Sequence, residues 1–272
     1  HVDHLELMNL SEAMQFVEFW RSSMGMRKQR IGWMYGYYRE DNTYPMGIRA
    51  VMEAIYEPPQ SDNYETGKLS LENDPFIHSV DAIANSLGLE RLGLVFTHGE
   101  REEILTPNEI ITIGKQQLNN IKTNHYTGYP VSSFVTCTIA PCKTVKGGDP
   151  IPNAFSISDL GLAFLRDGII DEDRISDNTH MVIRKGQKGE LLPQILENGS
   201  STDKFDAHWL IVRINESAPL QPKPFFSSSQ FPKENRSIPQ KPSDVSEFIK
   251  ARLTSLPPNS YNLLSDFHLI LY

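Results

Sequence analysis

The sequence predicts an α/β fold of the α+β kind: a mixed sheet flanked by helices, followed by a smaller mixed or mainly helical C-terminal part. Three observations carry this. Segments of helical period alternate with strand-type segments. Leu92 to Thr97 is a short, nearly continuous apolar run of the kind that forms a fully buried central strand. Six prolines in the 24 residues from Pro219 to Pro242, with a Ser227-Ser228-Ser229 run, mark an extended connector. At 272 residues and 39% hydrophobic content, the chain can bury one large or two modest cores.

In chain order, Ala13, Phe16, Val17 and Trp20 repeat at helical spacing behind a serine cap at Ser11. Residues 31–38 and 50–56 read as strands separated by the turn-rich Asp41-Asn42-Thr43-Tyr44-Pro45, and Glu57-Pro58-Pro59-Gln60 ends the second. Asp74-Pro75 reads as a cap and first helical residue, with Ile77, Val80, Ile83, Ala84 and Leu87 on one face until Gly88. A second helix runs from Thr106-Pro107 to Ile121. Residues 134–139 form another strand, and 160–165, 181–184 and 209–214 are further sheet candidates. After the connector, Ser243-Asp244 caps a helix bearing Val245, Phe248, Ile249, Leu253 and Leu256, closed by Pro257-Pro258. Residues 266–272 fit either a strand or a helix start. The division expected is 1–166 for a first domain and 167–272 for a second, which is truncated at its end.

The balance of 26 basic against 34 acidic residues, a net charge of -8, argues against nucleic acid or an anionic membrane as partner and favours a neutral or basic protein. No apolar run reaches the roughly 18 to 20 residues of a membrane span, so no membrane insertion is expected. A start at His1 reads as a piece of a longer protein. Two cysteines, Cys137 and Cys142, are too few for a disulfide framework and favour a reducing compartment. The Asn-x-Ser triplets at Asn198, Asn215 and Asn235 carry no weight without secretion.

The outline of a site lies in Gly93-Leu94-Val95-Phe96-Thr97-His98-Gly99, followed by Thr106-Pro107-Asn108-Glu109. A buried strand ending in Phe-Thr-His-Gly and a Thr-x-x-Glu opening a helix resemble the MPN fold of the JAMM metalloproteases. In those enzymes two histidines and an aspartate hold zinc, a glutamate takes a proton from the bound water and a serine stabilises the oxyanion. On this resemblance the glutamate position falls on Gln29, the histidines on Phe96 and His98, the serine on Thr106 and the aspartate on Glu109. Gln29 cannot act as a base near neutral pH, and Phe96 offers no ligand, so no catalytic residue and no metal are expected. Thr106 and Glu109 also read as a capping box, a contribution of about 0.5–2 kcal/mol, and Phe96 as core.

Several stretches resemble one non-catalytic branch of that group, the nuclear protein localization protein 4 family. They are residues 2–6 and 29–36, Pro45 to Ala50, Ala54-Ile55-Tyr56-Glu57-Pro58-Pro59-Gln60, Ser133 to Thr136, Phe231-Pro232-x-x-Asn235-Arg236 and Ser265 to Leu269. The resemblance runs nearly end to end, with a short Gly99–Leu105 connector and a poor match over 165–207. It implies an inactive MPN domain plus a C-terminal domain, without the ubiquitin-like domain and zinc fingers that usually precede them. Zinc is expected only in that preceding region, and no cofactor here.

The resemblance also implies a substrate-recruiting cofactor of the hexameric AAA unfoldase called valosin-containing protein, working with the ubiquitin fusion degradation protein. Such a cofactor receives polyubiquitin in ubiquitin-dependent degradation, including that of ER proteins. It is expected in cytoplasm and nucleus, peripheral at the ER and nuclear envelope, with a groove holding one ubiquitin unfolded. Tyr56, Glu57, Pro58, Pro59 and Gln60 are the first candidate ubiquitin-binding residues, because a tyrosine beside a rigid proline pair suits a ledge. Phe231, Asn235 and Arg236 are the second. A structural turn and an ordinary proline-rich linker are the respective alternatives, and Phe225 and Phe226 read as linker anchors. Two other functions stay open: an MPN scaffold that never touches ubiquitin, and an atypical zinc isopeptidase using His98 and Glu109 with a third ligand such as His125.

Overall fold

The computed structural model describes residues 1–44, 46–60, 68–71, 73–122, 131–142, 148–255 and 261–272. Pro45, His125, Leu256 and the Pro257-Pro258 pair, each singled out above, lie outside the described residues.

The elements in chain order are β1 (His4–Leu7), α1 (Leu10–Met24), β2 (Ile31–Glu40), β3 (Ile48–Tyr56), α2 (Ile77–Ser86), β4 (Glu90–Thr97) and α3 (Pro107–Asn119). They continue with β5 (Ile121–Lys122), β6 (Val131–Ser132), β7 (Val135–Pro141), β8 (Pro150–Ile157) and α4 (Asp159–Arg166). Then come β9 (His180–Val182), β10 (Ile195–Glu197), β11 (Ser200–Thr202), β12 (Lys204–Asp206), β13 (Ile211–Ser217), α5 (Pro242–Ser255) and α6 (Phe267–Leu271).

The mixed sheet curls into a closed barrel in the order β1-β13-β8-β7-β4-β2-β3, with β1 closing onto β3. β4 is central, antiparallel to β2 and parallel to β7. Gly93 is required there, because a Cβ would lie 1.7 Å from the Val135 carbonyl oxygen. Neighbouring residues of a strand point to opposite faces, so the sheet serves two cores. Met34, Met52, Leu92, Val95, Val135 and Cys137 pack with Phe16 and Trp20 of α1. Trp33, Tyr35, Leu94, Phe96 and Phe155 pack with residues of α2, α3 and α4, and with Phe226 and Phe267 from the C-terminal part. The barrel therefore takes β13 from well past residue 166.

Residues 160–165 are helix, not sheet. Ser158 accepts the Gly161 N–H as a cap, and Leu162 and Phe164 turn inward. The cap of α1 is Asn9, which accepts from the Glu12 N–H, in place of Ser11. Asp74 accepts the Phe76 N–H in a turn that precedes α2, so the helix opens two residues beyond Pro75. α3 ends at Asn119 and Ile121 enters β5. Pro242 is the first residue of α5, and Asp244 reaches back to the Lys241 N–H. Residues 207–210 form a 3-10 turn ahead of β13, and Asp266 caps α6. Residues 218–241 contain neither helix nor strand, as the prolines require. Strands β1 and β8 carried no strong signal: β1 is four residues long and β8 holds Pro150 and Pro152.

Candidate functional site

Among the places that collect buried charge, two hold residues singled out in the sequence. The first is the end of β4. Phe96 is fully buried, its ring 6.2 Å from that of His98. The His98 backbone N–H continues the pairing to the Ile139 carbonyl, and its Nδ1 lies 2.8 Å from the Gly99 carbonyl oxygen. Burial, and then the Arg101 guanidinium, push the His98 pKa down, so the ring is neutral at physiological pH. Thr106 and Glu109 form the full capping box at the start of α3. Glu109 has no exposed surface, and Arg101 holds both its oxygens, at 2.8 and 2.6 Å. Gln29 sits half-buried just ahead of β2. Among the described residues no group of three or more His, Cys, Asp or Glu is placed to hold a metal ion.

The second place is where residues 218–241 strap across the barrel. Glu57, 1% exposed, forms ion pairs with Arg30 and Arg236. Asn235 donates to the Glu57 carbonyl at 2.9 Å. The Arg236 guanidinium lies 4.0 Å from the centre of the Phe19 ring of α1. Further along, Glu12 of α1 meets Lys233 at 2.7 Å and His268 of α6 at 2.6 Å, all three buried. Glu234 holds the other ring nitrogen of His268 at 2.8 Å. Burial works against the imidazolium, but the Glu12 and Glu234 carboxylates prevail and raise the His268 pKa to about 9. Burial likewise works against the Glu12 carboxylate, and His268 and Lys233 overcome it, holding its pKa well below the usual range. Asp266 accepts from the Ser228 hydroxyl and the Phe231 N–H. Glu53 accepts the Phe225 N–H at 2.8 Å, and burial pushes its carboxyl up to about 7.

Tyr56 to Gln60 and Phe231 to Arg236 are thus one cluster. Phe231 is buried against Phe248 and Tyr272. Gln60 pairs with both backbone groups of Ile31 at 2.8 Å, extending the end of β2. Pro58 is buried and Pro59 half-buried. Of the linker anchors, Phe226 is buried, whereas Phe225 keeps 52% of its surface exposed and anchors through its backbone. Beside this cluster opens a groove of about 560 Å³, lined by Tyr56, Phe76, Val80, Asn235, Arg236 and Tyr272 among others. Phe76 and Tyr272 offer exposed aromatic surface at its rim. Sequence reasoning missed Arg30, Arg101, Lys233, Glu234 and His268. Isolated charges carry no signal until the fold supplies their partners, although a lysine and a histidine within otherwise apolar or proline-rich segments were a usable hint.

A family model described as the NPL4 family matches residues 30–272. The nuclear protein localization protein 4 of Lodderomyces elongisporus is 33% identical over 258 residues, covering 84% of this chain and 41% of that protein. That of Eremothecium gossypii is 31% identical over 312 residues, covering 100% of this chain and 53% of that protein. The Drosophila melanogaster homolog is 27% identical over 303 residues, with 100% and 45% covered. The chain spans about half the length of the curated relatives it matches.

Proposed function

Since the chain belongs to the NPL4 family, we propose that it is a non-catalytic ubiquitin-binding unit that recruits substrates to a hexameric AAA unfoldase of the valosin-containing-protein type. It works with the ubiquitin fusion degradation protein in ubiquitin-dependent protein degradation, including that of ER proteins. The relatives' name supports a nuclear role, and the proposed setting is cytoplasm and nucleus, peripheral at the ER and nuclear envelope. No helix among the described residues is long and apolar enough to cross a membrane. The chain needs no metal or cofactor of its own for this role; zinc belongs to the zinc-finger region that precedes this part in the resemblance.

The observation that carries the reading is the groove beside the Glu57 clamp. Tyr56, Asn235 and Arg236 line it, Glu57 holds Arg236 and Asn235 from behind, and Phe231 packs against Tyr272; Pro58, Pro59 and Gln60 continue the chain from this clamp. A groove that holds a small domain open must return much of that domain's stability of about 5–15 kcal/mol. At roughly 25 cal/mol per Å², 8 kcal/mol requires some 300 Å² of apolar burial before ordering entropy is counted. The exposed Phe76 and Tyr272 rings at the rim of the groove offer apolar area to such a segment. The MPN side of the molecule serves in this reading as an inactive scaffold, with Gln29, Phe96, His98, Thr106 and Glu109 as the remnant of a former metal site.

Hydrogen exchange on ubiquitin chains added to the assembled complex tests the proposal. Loss of protection across one whole ubiquitin is expected, and full native protection of every unit would overturn it. A scaffold that never touches ubiquitin would retain no chains in a pull-down, with or without the unfoldase.

A further inference from the structure

The MPN fold family implies a metal at the end of β4, and the residues present do not fit one. A catalytic zinc takes three protein ligands and keeps a fourth position open. Phe96 brings no donor atom, and Glu109 has both oxygens taken by Arg101, with the Thr106 N–H on one of them at 2.9 Å. His98 has Nδ1 on the Gly99 carbonyl, which leaves a single ring nitrogen. We propose that Arg101 is the resident cation of this cleft, so that the site is closed to divalent metal by occupancy as well as by loss of ligands.

The geometry follows from the chemistry of a buried carboxylate. Glu109 has no contact with water, and an ionised carboxylate in that position needs a counter-charge and donors for its lone pairs. The planar fork of an arginine supplies both at once, one N–H to each oxygen. Arg101 also turns the rest of its fork inward: Nε donates to the Glu103 carbonyl at 3.0 Å and one terminal nitrogen to that of Ile104 at 3.2 Å. The loop between β4 and α3 therefore folds around its own guanidinium, which stands between that loop and Glu109. Its shortness is part of the device, since eight residues separate the two charges. The guanidinium also acts on His98, whose lowered pKa reflects burial and then Arg101. A dication entering the cleft would meet that same positive charge. This inference is independent of the groove reading, and each can fail without the other.

Urea unfolding of the unaltered chain, Arg101→Met, Glu109→Gln and the double variant, with and without millimolar zinc, tests it. Arg101→Met should raise the unfolding constant by at least about a hundredfold, because it leaves a bare buried carboxylate. Glu109→Gln in the same molecule should recover most of that loss. Zinc should restore part of the stability of Arg101→Met and do nothing for the unaltered chain or the double variant. If Arg101→Met does not fold, the double variant decides: a folded double variant upholds the proposal and an unfolded one overturns it. Additive single effects, or no zinc rescue of a folded Arg101→Met, would also overturn it. Zinc stabilising the unaltered chain in a Glu109-dependent way would do the same.

Discussion

The end of β4 and the strap across the barrel use the same device, a buried carboxylate locked by cations, with opposite results. At β4 the partners are local: Arg101 and Glu109 are eight residues apart, and the loop between them wraps the guanidinium. At the strap the partners are remote, with Glu57 and Arg236 179 residues apart and Glu12 and His268 256 apart. That long-range locking fixes two parts of the chain side by side and leaves a groove open between them. One arrangement ties a loop to the helix that follows it, and the other ties the strap to the barrel beside a groove. Buried ion pairs of this kind contribute more to geometry than to net stability, because desolvation offsets most of their attraction.

The strongest way to break the comparison is Glu57→Ala. It leaves Arg30 and Arg236 facing each other without their carboxylate, and the loss expected is about 3–5 kcal/mol, read as a lowered urea midpoint. If the strap detached as a unit, hydrogen exchange would rise over residues 225–236 before the barrel opened; simultaneous opening would mean that strap and barrel unfold together.

A change of pH separates the two regions next. The His268 pKa is raised to about 9 in the folded protein, so its contribution is full below the unfolded value near 6.5 and is lost as pH rises through 9. Stability should fall over that window by on the order of 3 kcal/mol. His268→Gln should flatten the curve there. Glu53, raised to about 7, adds a fall with the same sign between about 4.5 and 7. Glu12, with its pKa depressed, contributes above about 4.5 and loses that contribution as pH falls further. The β4 cleft should contribute little to the alkaline slope, because its histidine is already neutral there.

Thr106→Ala removes one cap from α3 and should cost about 1 kcal/mol in thermal or urea unfolding, with the groove intact. The smallest expected effect on stability is that of Phe76→Ala. The ring is 63% exposed at the rim of the groove, so the change should stay within about 0.5 kcal/mol. Retention of ubiquitin chains by the assembled complex should nonetheless weaken several-fold. Unchanged retention would shift the contact away from this groove.

Much of the first region was legible in the residues. The apolar run of β4, Gly88 closing α2, and Thr106-Pro107 with Glu109 opening α3 are short-range patterns, governed by backbone geometry within one or two turns. The helical stripe of α1 and the strands β2, β3 and β7 were readable for the same reason. Errors arose where local signals conflict: the apolar 160–165 segment suits either structure until the Ser158 cap settles it.

The tertiary structure alone decided the rest. β1 is too short to announce itself and becomes a strand by closing the barrel between β3 and β13. The proline-rich segment shows in sequence only what it cannot be. Its docking on Glu12, Glu53 and Glu57, and the merging of Tyr56–Gln60 with Asn235 and Arg236, required the folded chain. Helix, strand and cap signals are written within a few residues because torsions and backbone hydrogen bonds are local. Charge pairing across some two hundred residues leaves no periodic trace, and only the closed barrel brings those groups within 3 Å.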